Sequence, residues 1–252
     1  MIGSGNVARS LSAAFEDVGH FITEVYSRDI KNARRLAEKC YDARATDQLD
    51  FRQSKASIFI VAVTDDVIED ILSNIHLPEG SIIAHTSGTC GIDVFSFFFT
   101  DAGVFYPLQS FSPNRRINWN QVPICMEATS SRADTMLEEL ASSISHHLVY
   151  LDSQQRKRLH IGAVLTSNFT NHLLYKTQEF LDEHDLDFSL LKPLIAETMS
   201  KALEQGPEHT QTGPAMRGDM KTIREHLLFL EEDRDLQQIY QLLTESILKR
   251  RS

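Results

Sequence analysis

The octet Met1-Ile-Gly-Ser-Gly-Asn-Val-Ala8 confines the chain to a short list of folds. Its spacing, Gly3-x-Gly5-x-x-Ala8, is entered from an apolar residue and left through a helical pattern, as in a dinucleotide-binding βαβ unit. Each small residue has a mechanical task. Gly3 permits the tight turn from strand to helix, Gly5 lets the backbone approach a pyrophosphate, and Ala8 lets the helix lie close on the sheet. Gly3, Ser4, Gly5, Asn6, Val7 and Ala8 are therefore assigned to a cofactor. A helix over Asn6–Val18, with Val7, Leu11, Ala14, Phe15 and Val18 apolar, points its N–H groups and positive dipole end at the phosphates. A strand at Phe21–Tyr26 follows. The competing reading is a glycine-rich turn in an unrelated α/β protein. The strand leading into Gly3 needs about five residues, and only Met1 and Ile2 stand there: either the reading frame begins late or the strand is stunted, which would expose the edges beside it.

About 20 residues past the glycines, an acidic residue would hold the ribose diol of NAD. Ser27 and Arg28 occupy that place here, and a hydroxyl beside a guanidinium suits a 2′-phosphate. The pair favours NADP over NAD. Asp29 is open to two readings, N-cap of the next helix (Asp29–Cys40) or ribose ligand one residue late. Ser57–Val63 is a continuous apolar run, the mark of a parallel strand covered on both faces. Val63, Thr64 and Asp65 at its carboxyl end should lie along the cofactor, although Thr64 or Asp65 could serve only to cap the helix running to Ile75. Ser81–His85 is the next strand. Ser87 beyond it is not a hydrolase nucleophile, because the flanking glycines of a GxSxG elbow are absent; it is placed on the nicotinamide or substrate side. Further strands are expected at Gly103–Tyr106, Val122–Glu127 and His147–Leu151, with a helix over Ser131–Ile144. His146 and His147 would face opposite sides of a strand and make no metal pair.

After Asp152 the pattern becomes helical only, which divides the chain into a Rossmann-type α/β domain, 1–152, and an all-α domain, 153–252. Gln154–Leu181 reads as one helix of roughly 40 Å. Leu159–Tyr175 carries no Asp, Glu, Lys or Arg, so it should be buried nearly all round. His160, Ser167 and Asn171 fall within about 40° of one another on an ideal helix, with Asn168 on the flank. They form either the floor of a substrate pocket or hydrogen bonds within a bundle. Helices are expected near Phe188–Gln205, Lys221–Glu231 and Asp235–Lys249. The shaped loop Thr212–Asp219 offers Arg217 as an anion fork and Asp219 as a carboxylate or a helix cap.

The net charge of -10 argues against a nucleic-acid partner. No apolar run approaches the roughly 20 residues of a membrane span, and no export signal is read at the N-terminus. Cys40, Cys90 and Cys125 are scattered, odd in number and without metal spacing, which suggests reduced thiols in a cytoplasm.

Taken together, Gly3–Ala8, Ser27-Arg28, Val63–Asp66, His85–Gly88, Tyr106-Pro-Leu-Gln-Ser-Phe111, Ser167-Asn168 and Thr212–Asp219 resemble the NADP-linked oxidoreductases related to pyrroline-5-carboxylate reductase. Likeness to deazaflavin-dependent NADP reductases is looser and confined to the first half. The resemblance implies hydride exchange between NADPH and a small C=O or C=N substrate, such as a keto or imino acid held by Arg217, and a homodimer formed by the helical half. Two positions depart from it. Tyr106 stands where a His is expected, and Ser167 stands one turn before Asn171 where related hydroxyacid dehydrogenases carry a catalytic Lys. The proton donor is then sought among His160, Asn171 and Tyr106, with Ser167, Asn168, Arg217 and Asp219 on the substrate. The rival class is an NADP-binding sensor without turnover, favoured by the missing Lys.

Overall fold

The computed structural model describes residues 1–113 and 115–251. They divide into two compact units, Met1–Asn168 and residues 169–252.

In the first unit, a parallel sheet is built around a single residue. Ile2 bridges Tyr26 on one side and Val61 on the other, both in parallel sense. It thereby joins the pair β1 (Glu24–Tyr26) and β2 (Arg44–Thr46) to the run β3 (Ile58–Val61), β4 (Ile82–His85), β5 (Ala102–Pro107), β6 (Ile124–Ala128) and β7 (Leu148–Tyr150). The expected strand at 21–26 is shortened to its last three residues, and β2 went unread because Arg-Ala-Thr carries no apolar alternation. Only β5 and β6 are antiparallel. The linker between them holds no α-helix among its described residues, and without a crossover the chain returns antiparallel.

The helices follow the apolar pattern closely. α1 (Asn6–Asp17) buries Ala8, Leu11, Ala14 and Phe15. α2 (Ile30–Ala37) starts at Asp29, whose carboxylate accepts the Lys31 N–H at 2.9 Å. α3 (Ile68–Asn74) is preceded by a 3₁₀ turn at Asp65–Val67, and α4 (Ser131–Ile144) packs over β5, β6 and β7. Continuous apolar strands with helices on both faces make two clusters, one holding Leu11, Phe15, Ile60 and Phe105, the other Ile2, Phe59, Val61 and Phe95.

α5 (Ser153–Ala163) opens with a capping box between Asp152 and Gln155. It continues through a π-helical segment, Val164–Phe169, into α6 (Thr170–Asp182). The long helix is therefore real, but its middle is not α-helical. Hydrogen bonds of i→i+5 type turn the chain less per residue. The 100° step on which the expected alignment of His160, Ser167 and Asn171 rests therefore does not hold across this segment, although His160 and Ser167 line one chamber. The expected burial also fails within one chain: Ile161, Leu165, Phe169 and Tyr175 are all more than half exposed.

The second unit continues with α7 (Lys192–Gln205), α8 (Pro207–Thr210), α9 (Pro214–Arg217), α10 (Met220–Phe229) and α11 (Arg234–Arg251). α9 packs on α10 and α11, burying Ala215, Ile223, Leu230 and Thr244. This core is thin, and Leu190, Leu194, Leu203, Leu228 and Leu242 stay exposed. No helix among the described residues is long and apolar enough to cross a membrane, and none of their His, Cys, Asp and Glu side chains group as a metal site. The three cysteines are unpaired.

Candidate active site

At the carboxyl ends of the strands, the turn Gly3–Gly5 opens a concavity of about 590 Å³. Gly3 has φ +114°, and a Cβ on it would stand 2.8 Å from the Ala62 carbonyl carbon. Glycine is demanded there by backbone and packing alike. Gly5 is different. Its φ of -71° suits any residue, and a Cβ on it would meet no atom within 4 Å. Neither conformation nor packing calls for glycine at that position. Beside it, α1 begins without any side-chain cap and without an acidic residue in its first turn. A twelve-residue helix thus presents free N–H groups and the positive end of its dipole to open space. This cradle fits a pyrophosphate.

The rest of the concavity is lined by Ser4, Asn6, Val7, Ser27, Arg28, Val63, Thr64, Asp65 and Ser87, among others. Ala8 is fully buried on the inner face of α1, in the core that also holds Val25 and Ile60 of the sheet. Arg28 is exposed at the rim. Asp29 is absent from the lining and serves as the α2 cap, its Oδ1 accepting the Lys31 N–H. The Thr64 side chain makes no cap hydrogen bond, so it does not serve the following turn. Asp65 accepts a hydrogen bond from the Thr89 hydroxyl. Ser87 Oγ accepts from the backbone of Thr89 at 3.0 Å and Cys90 at 2.9 Å, and this shapes the loop beyond β4.

Two of the three candidate proton donors meet here. Tyr106 Oη and His160 Nδ1 are 3.0 Å apart, with their rings edge to face at 5.9 Å. They belong to β5 and α5, 54 residues apart in the chain. Burial pushes the Tyr106 phenol up to about 12. Gly88 makes the meeting possible, since a Cβ on it would lie 2.5 Å from His160 Nδ1. Arg156, one turn before His160, fixes the start of α5. Its guanidinium is 1 % exposed, bonds Glu127 Oε2 at 2.5 Å and donates to the Cys90 carbonyl at 2.6 Å. Ser153 Oγ donates to the same carboxylate at 2.8 Å and accepts the Ile92 N–H at 2.9 Å. Beneath the loop, His85 stacks on Phe95 at 5.3 Å, and burial, with Arg156 nearby, depresses its imidazole to about 4.

Ser167 and Asn168 line a second chamber adjoining the first. Asn171, Arg217 and Asp219 belong to the helical unit. Asp219 is the N-cap of α10, accepting from Thr222 N at 3.1 Å and Thr222 Oγ1 at 2.8 Å, so its carboxylate has the structural job. Asn171 and Arg217 are exposed.

A model described as a Rossmann-like domain matches residues 1–109, and one described as a domain of unknown function, DUF2520, matches residues 122–247. A solved structure from Bacteroides fragilis, provisionally designated an NADP oxidoreductase, is 37% identical over 98% of this chain and 96% of that chain, with a TM-score of 0.88. The chain belongs to the DUF2520 family of Rossmann-like proteins. At lower identity the likeness concerns the fold alone. A Thermotoga maritima protein is 22% identical over 99% of this chain and 96% of that chain, with a TM-score of 0.72. A reductive aminase from Aspergillus terreus, solved with NADPH and ethyl-5-oxohexanoate, is 14% identical over 99% and 92%, with a TM-score of 0.71. No curated protein matches the chain.

In this DUF2520 protein, Asp70 in the lining and Arg156, one turn before His160, escape sequence reasoning, while the sequence points to Phe111 and Gly88 only as parts of motifs and not as site residues. Asn6 has a second role beyond the fingerprint. Its Nδ2 donates to the Phe111 carbonyl at 3.1 Å, tying the start of α1 to the segment after β5.

Proposed function

We propose that this chain is an NADPH-dependent cytoplasmic oxidoreductase acting on a small C=O or C=N substrate. The observation that carries the reading is the open space at Gly5 before an uncapped helix, in one concavity with the Tyr106–His160 pair. Gly3, Ser4, Gly5, Asn6 and Val7 would hold the pyrophosphate, and Val63, Thr64 and Asp65 would flank the chain of the cofactor toward Ser87. Ser27 and Arg28 would hold the 2′-phosphate. When bound, NADPH supplies the hydride. The protein then has to supply a proton at the substrate heteroatom. We assign the hydrogen of the Tyr106–His160 contact to the phenol, which is neutral at physiological pH, and this assignment leaves the ring proton on Nε2. His160 is the donor to the substrate, and Tyr106 fixes its tautomer. Asn171 is not needed. The three unpaired cysteines support the cytoplasmic assignment.

Arg28→Ala tests the cofactor. Loss of a charged hydrogen bond should weaken NADPH by ~1.5–3 kcal/mol and leave NADH nearly unchanged, as read by titrating the emission of the reduced cofactor. Equal losses for both would remove the 2′-phosphate assignment. A chain that binds NADPH but oxidises it with no keto or imino compound would instead be the sensor without turnover.

We further propose that the helical half forms a homodimer. In the second unit Phe169, Leu173, Leu190, Leu194 and Leu203 are all exposed. Monomeric proteins rarely leave such a surface in water, and two-fold pairing covers it with its own copy. Sedimentation at micromolar concentration should give twice the mass of one chain, and a monomer there would exclude the arrangement.

A further inference from the structure

We propose that the substrate of this site is an uncharged ketone, aldehyde or imine with an apolar body, and not a keto or imino acid. The inference rests on the oxidoreductase reading and narrows it. The second chamber has a volume of about 720 Å³ and is lined wholly by residues of the first unit. It shares Tyr106, Phe111 and His160 with the glycine concavity, so its contents face the proposed proton donor. Pro107, Leu108, Leu159, Ala163 and Val164 give it apolar walls. Its other polar groups are hydroxyls and amides, such as Thr86, Thr166, Gln109 and Asn168. Among the described residues no Asp, Glu, Lys or Arg lines it.

A carboxylate entering this chamber would exchange hydration for a wall with no fixed cation. Gln109, Ser110, Thr166, Ser167 and Asn168 are exposed, so the mouth is open to water. It is against the inner wall of Pro107, Leu108, Leu159, Ala163 and Val164 that an unpaired anion loses hydration without return. The neighbouring concavity adds acidic groups. Asp65 and Asp70 lie in the adjoining concavity, whose cation, Arg28, is assigned to the cofactor phosphate. A neutral carbonyl or imine meets no such obstacle, because its heteroatom needs only one donor. The keto-acid expectation rested on Arg217 in the helical unit, and the chamber itself gives it no support.

The test uses the single tryptophan of the chain as reporter. Trp119 packs on Phe111 at 5.8 Å, and Phe111 is a chamber wall. The full chain, with and without NADP⁺, is titrated with methyl 4-oxocyclohexanecarboxylate and with the free acid, and the Trp119 emission is followed. The ester is expected to saturate at a concentration at least tenfold below that of the acid. Gln109→Arg, at an exposed position on the chamber wall, should shrink the gap to less than threefold. An acid that binds as well as the ester overturns the proposal, and so does failure of both to bind. Preference for the acid that disappears in Arg217→Ala would overturn it and reinstate the carboxylate. Failure of the chain to bind NADPH refutes the oxidoreductase reading instead, since the order of ester and acid is also read without cofactor.

Discussion

Gly5→Val is expected to abolish NADPH binding while leaving the fold intact. The backbone at Gly5 is in an extended conformation that valine adopts freely, and the new side chain enters space that holds no protein atom. Thermal stability should therefore stay within the scatter of an ordinary surface substitution. The same side chain fills the place where a pyrophosphate would approach the helix, so affinity should fall 100-fold or more, about 2.7 kcal/mol. Gly3→Ala separates the two roles of the motif. Its methyl group would press on the Ala62 carbonyl from a backbone with φ +114°, and about 2 kcal/mol or more of stability should be lost. Cofactor titration and thermal melts on the two variants give opposite signatures. If Gly5→Val keeps its NADPH affinity, the concavity is not the cofactor site.

The second large effect belongs to the Tyr106–His160 pair. His160→Ala should lower kcat by ~10²–10³, the usual contribution of a positioned proton donor, with the Kd for NADPH unchanged within threefold. Tyr106→Phe removes only the hydrogen bond that selects the tautomer, and a loss of about tenfold is expected. Because burial holds the Tyr106 phenol near 12, the pH profile of the parent should show no limb from its ionisation below about pH 11. Gly88→Ala provides an independent check, since it touches His160 without removing a functional group. Unimpaired turnover in His160→Ala, measured with a substrate that the parent reduces, would shift the proton to another group.

Much of this was legible because the informative residues act locally. Gly3 and Asp29 do in the structure what their spacing implies, as turn and cap, and the apolar run before Thr64 is a buried parallel strand. The residues that escaped act over distance or against type. A π turn leaves no trace in hydrophobic periodicity, so the change of helical step after Ala163 could not be foreseen. Arg156 sits among Gln, Arg and Lys in the first turns of α5 and reads as solvated. Only the position of Glu127 at the end of β6 makes it a buried pair. Ser87 lines the concavity, and what its position in the sequence could not show is that its oxygen also accepts two backbone N–H groups of its own loop. Leu159–Tyr175 was correctly seen to lack charge, but absence of charge does not say what covers a helix.

The single bridging residue at the centre of the sheet divides stability unevenly. Among the described residues, the backbone hydrogen bonds that tie β1 and β2 to the other strands run through Met1–Gly3, which bonds Tyr26 on one flank and Ile60 and Ala62 on the other, while Val25 and Tyr26 pack in the shared cores. Local unfolding of such a flap costs less than unfolding the whole domain. Ser27 and Arg28 ride on the flap, whereas Thr64 and Asp65 ride on the main sheet. A molecule gripping both would act as a strut across the joint, so its occupancy would be linked to the closed state of the flap. Part of what is measured as cofactor affinity would then be the free energy of holding the sheet together.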